Sequence, residues 1–249
     1  MPELTWLAWA LLAIAAVTVG ISKTAIPGAN TVTVAIFAAV LPAKQSTGTL
    51  LVLLIVADIF AITAYRRHAN WRALLRLAPA VVVGVLVGVA FLFFADDAWV
   101  RRVIGVILLA VIAVTLVRRR MAPAVADGGT HRVAAATYGT LGGFTTMVAN
   151  AGGPVMSMYF LASRFAVKEF LGTAAWFFAL VNLAKLPFSV GLGLITPSGL
   201  LLDLVLVPLT VGGALFGLWF AKRLDQRLFE RLVIGFTVVG ALYLLLWTG

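Results

Sequence analysis

Lys44-Gln45-Ser46-Thr47-Gly48-Thr49 returns further along the chain as Lys168-Glu169-Phe170-Leu171-Gly172-Thr173. The offset is 124 residues, and the same offset carries Gly28 onto Gly152 and Asp58 onto Asn182. After one longer loop the offset becomes 129, which carries Pro79 onto Pro208, Gly84 onto Gly213 and Gly88 onto Gly217. Residues 20–117 thus return, altered, as residues 143–247. A repeat of this length in an apolar chain predicts a membrane protein of two related halves. Secondary transporters are commonly built this way, with their site where the halves meet.

Composition supports the membrane reading. The chain has 249 residues, 63% hydrophobic and 11% charged, with a mean hydropathy of +1.09. A soluble domain carries about 25% charged residues. Apolar runs of 17–22 residues recur along the whole length, which predicts an all-α polytopic membrane protein. Strands of a β-barrel would instead alternate over about 10 residues. The chain has no cysteine, which excludes a disulfide framework, a thiolate metal site and a thiol relay. His68 and His131 fall in loops beside arginines and read as loop residues, so no metal or other cofactor is expected. The net charge of +10 sits in short loops between apolar runs, a topology signal rather than a nucleic-acid surface. Met1-Pro2-Glu3 offers no positive n-region of a signal peptide, so residues 4–20 read as retained structure.

Five apolar segments are expected in the first half, at 4–20, 29–41, 46–65, 74–94 and 98–117. The second half gives 132–149, 153–163, 167–190, 200–220 and 228–247. The expected organisation is one transmembrane domain over 1–249. Repeat one covers 1–120, a linker 118–132 and repeat two 133–249. An odd number of segments per half makes the second half enter from the opposite side. One set of loops holds 14 of the 19 Lys and Arg residues, among them Arg66, Arg67, Arg118, Arg132 and Lys222. The other set holds Lys44, Arg101 and Arg102, while Lys23 and Lys185 fall within segments. The basic loops are therefore assigned to the cytoplasmic side. Equivalent loops then exchange sides, both termini lie outside, and the repeat is inverted.

The second segment of each half is short. Residues 29–41 as a helix reach about 20 Å and 153–163 about 17 Å, against a hydrocarbon core of about 30 Å. Each reads as a half-helix rising from a break near the midplane. The breaks are placed at Gly20-Ile21-Ser22-Lys23-Thr24-Ala25-Ile26-Pro27-Gly28-Ala29-Asn30 and Val148-Ala149-Asn150-Ala151-Gly152-Gly153-Pro154. A helix start presents free N–H groups and the positive end of its dipole, which attract anions. Gly28, Gly152 and Gly153 permit close backbone approach, and Pro27 and Pro154 suit a helix start. Asn30 and Asn150 offer side-chain donors, and Lys23 and Thr24 lie in the same stretch. The simpler reading is a pair of turns with Lys23 reaching toward a headgroup, but it leaves the duplicated small-residue break unexplained.

Asp58 lies inside segment 46–65. An intramembrane carboxylate is a functional candidate by default, able to pair with Lys23 or to carry a coupling proton. The alternative is a structural hydrogen bond to a neighbouring helix. Its counterpart Asn182 cannot titrate. Lys185, near the external end of its helix, reads as snorkelling toward the interface, with an anion vestibule or polar helix contact as the alternative. Gly84 with Gly88 and Gly213 with Gly217 form GxxxG pairs, which predict close helix packing within the fold; a homodimer interface is the other reading. Trp6, Trp9, Trp71, Trp99 and Trp247 lie near segment ends, as interfacial anchors do. Gly20-Ile21-Ser22-Lys23-Thr24 lacks the glycine spacing of a phosphate loop, and neither a zinc-protease nor a serine-hydrolase motif is present, so the chain is not expected to be an enzyme.

Gly20 to Gly28 together with Val148 to Tyr159 resembles the sulfite exporter TauE/SafE family of bacterial and archaeal membrane permeases. The likeness extends over nearly the whole chain. It implies transport of small anions such as sulfite, organosulfonates or related sulfur and carboxylate compounds across the cytoplasmic membrane. Lys23, Pro27, Gly28, Asn150, Gly152, Gly153 and Pro154 are the matching motif positions. A related thiosulfate-transporting group uses cysteines at its constrictions, and this chain has none. The expected function is a secondary anion transporter working by alternating access, with lipid and a small anion as partners and protons as the candidate coupling ion. An anion channel and a non-transporting membrane subunit are the competing readings.

Overall fold

A computed structural model describes residues 4–120, 130–225, 227–229 and 231–232. Those residues form helices and short turns. The helices are α1 (Trp6–Thr24), α2 (Asn30–Val40), α3 (Ala43–Tyr65), α4 (Trp71–Phe94), α5 (Asp97–Arg120), α6 (Thr130–Ala149), α7 (Gly152–Ala162), α8 (Val167–Gly191) and α9 (Pro197–Ala221). A 3-10 turn, Pro27–Ala29, precedes α2, and another, Arg66–His68, follows α3. By length and composition, α1, α3 with its 3-10 extension, α4, α8 and α9 suffice to cross a membrane. The chain is an all-α polytopic membrane protein. Most of the expected linker and of the expected segment 228–247, including Trp247, lies outside the described residues.

α2 and α7 contain 11 residues each, about 17 Å of helix and short of the hydrocarbon thickness. The breaks before them are shorter than the sequence suggests, the first most of all. Gly20 does not end α1, which runs on to Thr24. A methyl group on Gly20 would collide with the backbone of Thr210 and Ala214. This glycine therefore lets α9 approach, and the helix continues through it. Lys23 consequently rides on the last helical turn and not in irregular chain. Tyr65 closes the turn by donating its hydroxyl to the Thr24 carbonyl at 2.9 Å.

The most extensive helix contacts are α4 with α6 and α1 with α9. In the sequence repeat α6 corresponds to α1, and α9 to α4. The two interfaces are thus one contact made twice with the halves exchanged. Gly84 meets the backbone of Thr140 and Phe144, while Gly213 meets Val17 and Gly20. Gly48 packs on the backbone of Leu194 and Ile195, and its counterpart Gly172 packs on Tyr65, His68 and Ala69. Both GxxxG pairs are engaged inside the fold, since Gly88 faces Met147 and Gly217 faces Ile21 and Thr24. Helices α3 and α8, also counterparts, pack on each other. The N-terminus of α3 follows Pro42 and has no cap of its own. Asp97 at the start of α5 supplies one, accepting from the Ala43 and Lys44 amides at 3.0 and 2.9 Å.

Candidate functional site

The last turn of α1 carries Ser22 and Lys23 into the interior. Lys23 Nζ lies 2.8 Å from Asp58 Oδ1 on α3 and 4.4 Å from the ring centroid of Phe178 on α8. The other Asp58 oxygen accepts a 2.7 Å hydrogen bond from Asn182 Nδ2. Phe178 and Asn182 are one turn apart on α8, and Leu54 and Asp58 one turn apart on α3, so each pair shares a helix face. Asp58 is 2% exposed. Such a carboxylate requires compensation, and here an ammonium and an amide N–H provide it.

The second break is organised by Asn150. Its φ is 52°, a left-handed conformation that asparagine tolerates better than most residues. Its carbonyl accepts from Asn30 Nδ2 at 2.7 Å. Its Nδ2 donates to the Thr47 carbonyl at 2.8 Å, and its Oδ1 accepts from Lys185 Nζ at 2.6 Å. Thr47 completes the link by donating Oγ1 to the Val148 carbonyl at 3.1 Å. One residue thus joins the start of α2, the first turns of α3 and the last third of α8. The breaks also touch directly, because a Cβ on Gly153 would lie 2.8 Å from the Pro27 carbonyl. The starts of α2 and α7 therefore adjoin, each adding partial positive charge.

Between these elements lies a cavity of about 10 Å3, close to the room one water molecule needs. Ser22, Lys23, Asn30, Thr146, Asn150 and Asn182 give it polar walls, and Leu54 and Phe178 an apolar one. Of the residues expected from sequence, Lys23, Pro27, Asn30, Asn150, Gly153 and Asn182 line it. Gly28, Gly152 and Pro154 are buried at the starts of the short helices. Thr24 turns away, donating to the Ala214 carbonyl on α9 at 3.1 Å.

Asp58 and Lys185 stand behind residues of the cavity wall. For Lys185 the snorkelling reading is corrected: the residue is 0% exposed. Its Nζ donates to the Thr146 carbonyl at 2.6 Å and lies 3.5 Å from Asn182 Oδ1. The helix continues beyond it to Gly191, and neighbouring acceptors hold the ammonium within the protein.

Ser22, Leu54, Thr146, Ala174, Ala175 and Phe178 also line the cavity and were not among the expected site residues. The repeat carried a signal for four of them. Ser22 corresponds to Thr146 and Leu54 to Phe178, each at the offset of 124. Both halves therefore contribute a hydroxyl residue and an apolar residue from matching positions.

Comparison with curated proteins and with solved structures gives no match. The family model described as sulfite exporter TauE/SafE matches residues 12–244, which include both breaks and nearly all of both halves of the repeat, and the chain therefore belongs to that family.

Proposed function

We propose that the cavity is the substrate site of a secondary transporter for a small anion, sulfite or an organosulfonate or a related sulfur or carboxylate anion. The family is one of membrane transporters of sulfur anions. The observation that carries the assignment to this cavity is the convergence of Lys23 with the starts of α2 and α7 on one small space. A cation and two helix N-termini suit an oxyanion. Asn30, Asn150, Gly153 and Pro27 shape the space, and Thr24, Gly28, Gly152 and Pro154 support the backbone around it.

A cavity with room for about one water is too small for sulfite. Entry therefore requires the halves to separate on one side, and we assign alternating access by rocking of two inverted repeats about the site. The exchanged glycine contacts support that reading. Asp58 is the group at which a proton gradient would couple, because protonating it would leave Lys23 free for the anion. We place the basic loops in the cytoplasm and both termini outside a bacterial or archaeal cytoplasmic membrane.

The test is flux of sulfite, methanesulfonate and acetate into liposomes holding the purified chain. At least one should move, and Lys23→Gln should lower its flux about tenfold or more, the scale of one lost ionic contact. Absence of flux for the whole panel, or an unaffected Lys23→Gln, would sink the assignment.

A further inference from the structure

The Lys185 amine is fully buried and has no carboxylate partner among the described residues. The ion pair of this region joins Lys23 to Asp58. Lys185 has instead the Thr146 carbonyl and Asn150 Oδ1, each at 2.6 Å, with Thr146 Oγ1 and Asn182 Oδ1 at 3.5 Å. These acceptors satisfy its hydrogens, but none carries a charge. The bonds form a chain from Lys23 through Asp58 and Asn182 to Lys185. With both ammoniums and the carboxylate charged, that chain carries two positive charges and one negative.

Uncompensated charge in a low-dielectric interior is costly, and its field reaches past the groups it touches. Thr146, Asn150 and Asn182 all contact Lys185, and all three line the cavity. The ammonium is thus one side chain behind the wall, out of reach of direct contact with a ligand there. We propose that Lys185 keeps its proton in this site and sets the site's charge, so that the site selects anions bringing one negative charge over equally sized dianions. The proposal rests on the reading of the cavity as the anion site. It makes Lys185 a positioning and specificity residue that acts through its field and through Asn150.

The probes are methanesulfonate and sulfate, close in size and shape and different in charge, with acetate and malonate as a second such pair. Binding would be measured by calorimetry on the full chain in nanodiscs. The wild type should prefer the monoanion of a pair. Lys185→Gln keeps an N–H donor for its acceptors, and should lower monoanion affinity about tenfold or more. Asp58→Asn adds one net positive charge, and should shift the ratio about tenfold toward the dianion. A purely structural role for Lys185 would weaken both anions alike. An unchanged monoanion-to-dianion ratio in Lys185→Gln overturns the proposal while leaving the anion site standing, whatever Asp58→Asn does. A wild type that binds none of the four anions overturns the site assignment and this proposal together.

Discussion

Asn182 donates a 2.7 Å hydrogen bond to Asp58, and the two residues are each other's counterparts in the internal repeat, 124 positions apart. The two copies of this position therefore meet each other in the fold. The two copies differ here by one amide and one carboxylate, so whatever depends on charge is asymmetric at this point. Asp58→Asn strands the Lys23 ammonium, and removing one partner of a buried pair costs about 3–5 kcal/mol. The exchanged double variant, Asp58→Asn with Asn182→Asp, returns a carboxylate to the cluster at a position 3.5 Å from Lys185 Nζ. Thermal denaturation should show the double variant recovering at least half of the lost stability. A double variant no more stable than Asp58→Asn would contradict the shared cluster.

Gly48 and Gly172 test the exchanged packing of the halves. A methyl on Gly48 would strike the Leu194 carbonyl, and one on Gly172 the Tyr65 carbonyl and the Ala69 amide. Backbone yields less readily than a flexible side chain. Each Gly→Ala change should cost about 1–3 kcal/mol. Gly212→Ala is the control, since nothing lies within 4 Å of the added atom, and in a helix the change should be neutral or slightly stabilising. Similar melting temperatures for Gly172→Ala and Gly212→Ala would refute the contact.

Much of this architecture is legible before any coordinates. The repeat places the helices, and the short second segments announce α2 and α7. What periodicity does not reveal is which neighbour a residue meets. Gly20 reads as a helix stop because glycine is a poor helix former, whereas its missing side chain is needed by α9. Lys185 reads as an interfacial cation because charge avoids hydrocarbon, yet Thr146 and Asn150 provide acceptors from another helix and a distant break. Phe178 is one aromatic among many in α8, and its role depends on Lys23 arriving above its ring. The equivalence of Ser22 with Thr146 was visible in the offset, and becomes a site feature only when both hydroxyl residues face one cavity.

Asn150 separates backbone conformation from side-chain bonding. Asn150→Gly retains access to a φ of 52° and removes the bonds to Thr47 and Lys185. Asn150→Ala removes the same bonds and adds about 1–2 kcal/mol of left-handed strain. Both variants should lower transport, since Lys185 loses one of its two 2.6 Å acceptors and keeps the Thr146 carbonyl. Asn150→Ala should melt below Asn150→Gly. Asn150→Ala melting at or above Asn150→Gly would show that left-handed strain at this turn does not limit stability.

Phe178 narrows the cavity. Its ring lies under the Lys23 ammonium, a cation–π contact worth about 0.5–2 kcal/mol, and forms part of the apolar wall of a cavity of about 10 Å3. Its counterpart is Leu54, on the same wall, so Phe178→Leu makes the two halves alike at this position without adding a polar group. The smaller side chain leaves Lys23 its partner Asp58 and gives a substrate tail more space. In competition assays Phe178→Leu should favour butanesulfonate over methanesulfonate relative to the wild type, with overall affinity falling by about threefold to thirtyfold from the lost ring contact. If affinity falls while the ratio of the two sulfonates stays fixed, the ring acts on Lys23 alone and does not limit the size of the anion.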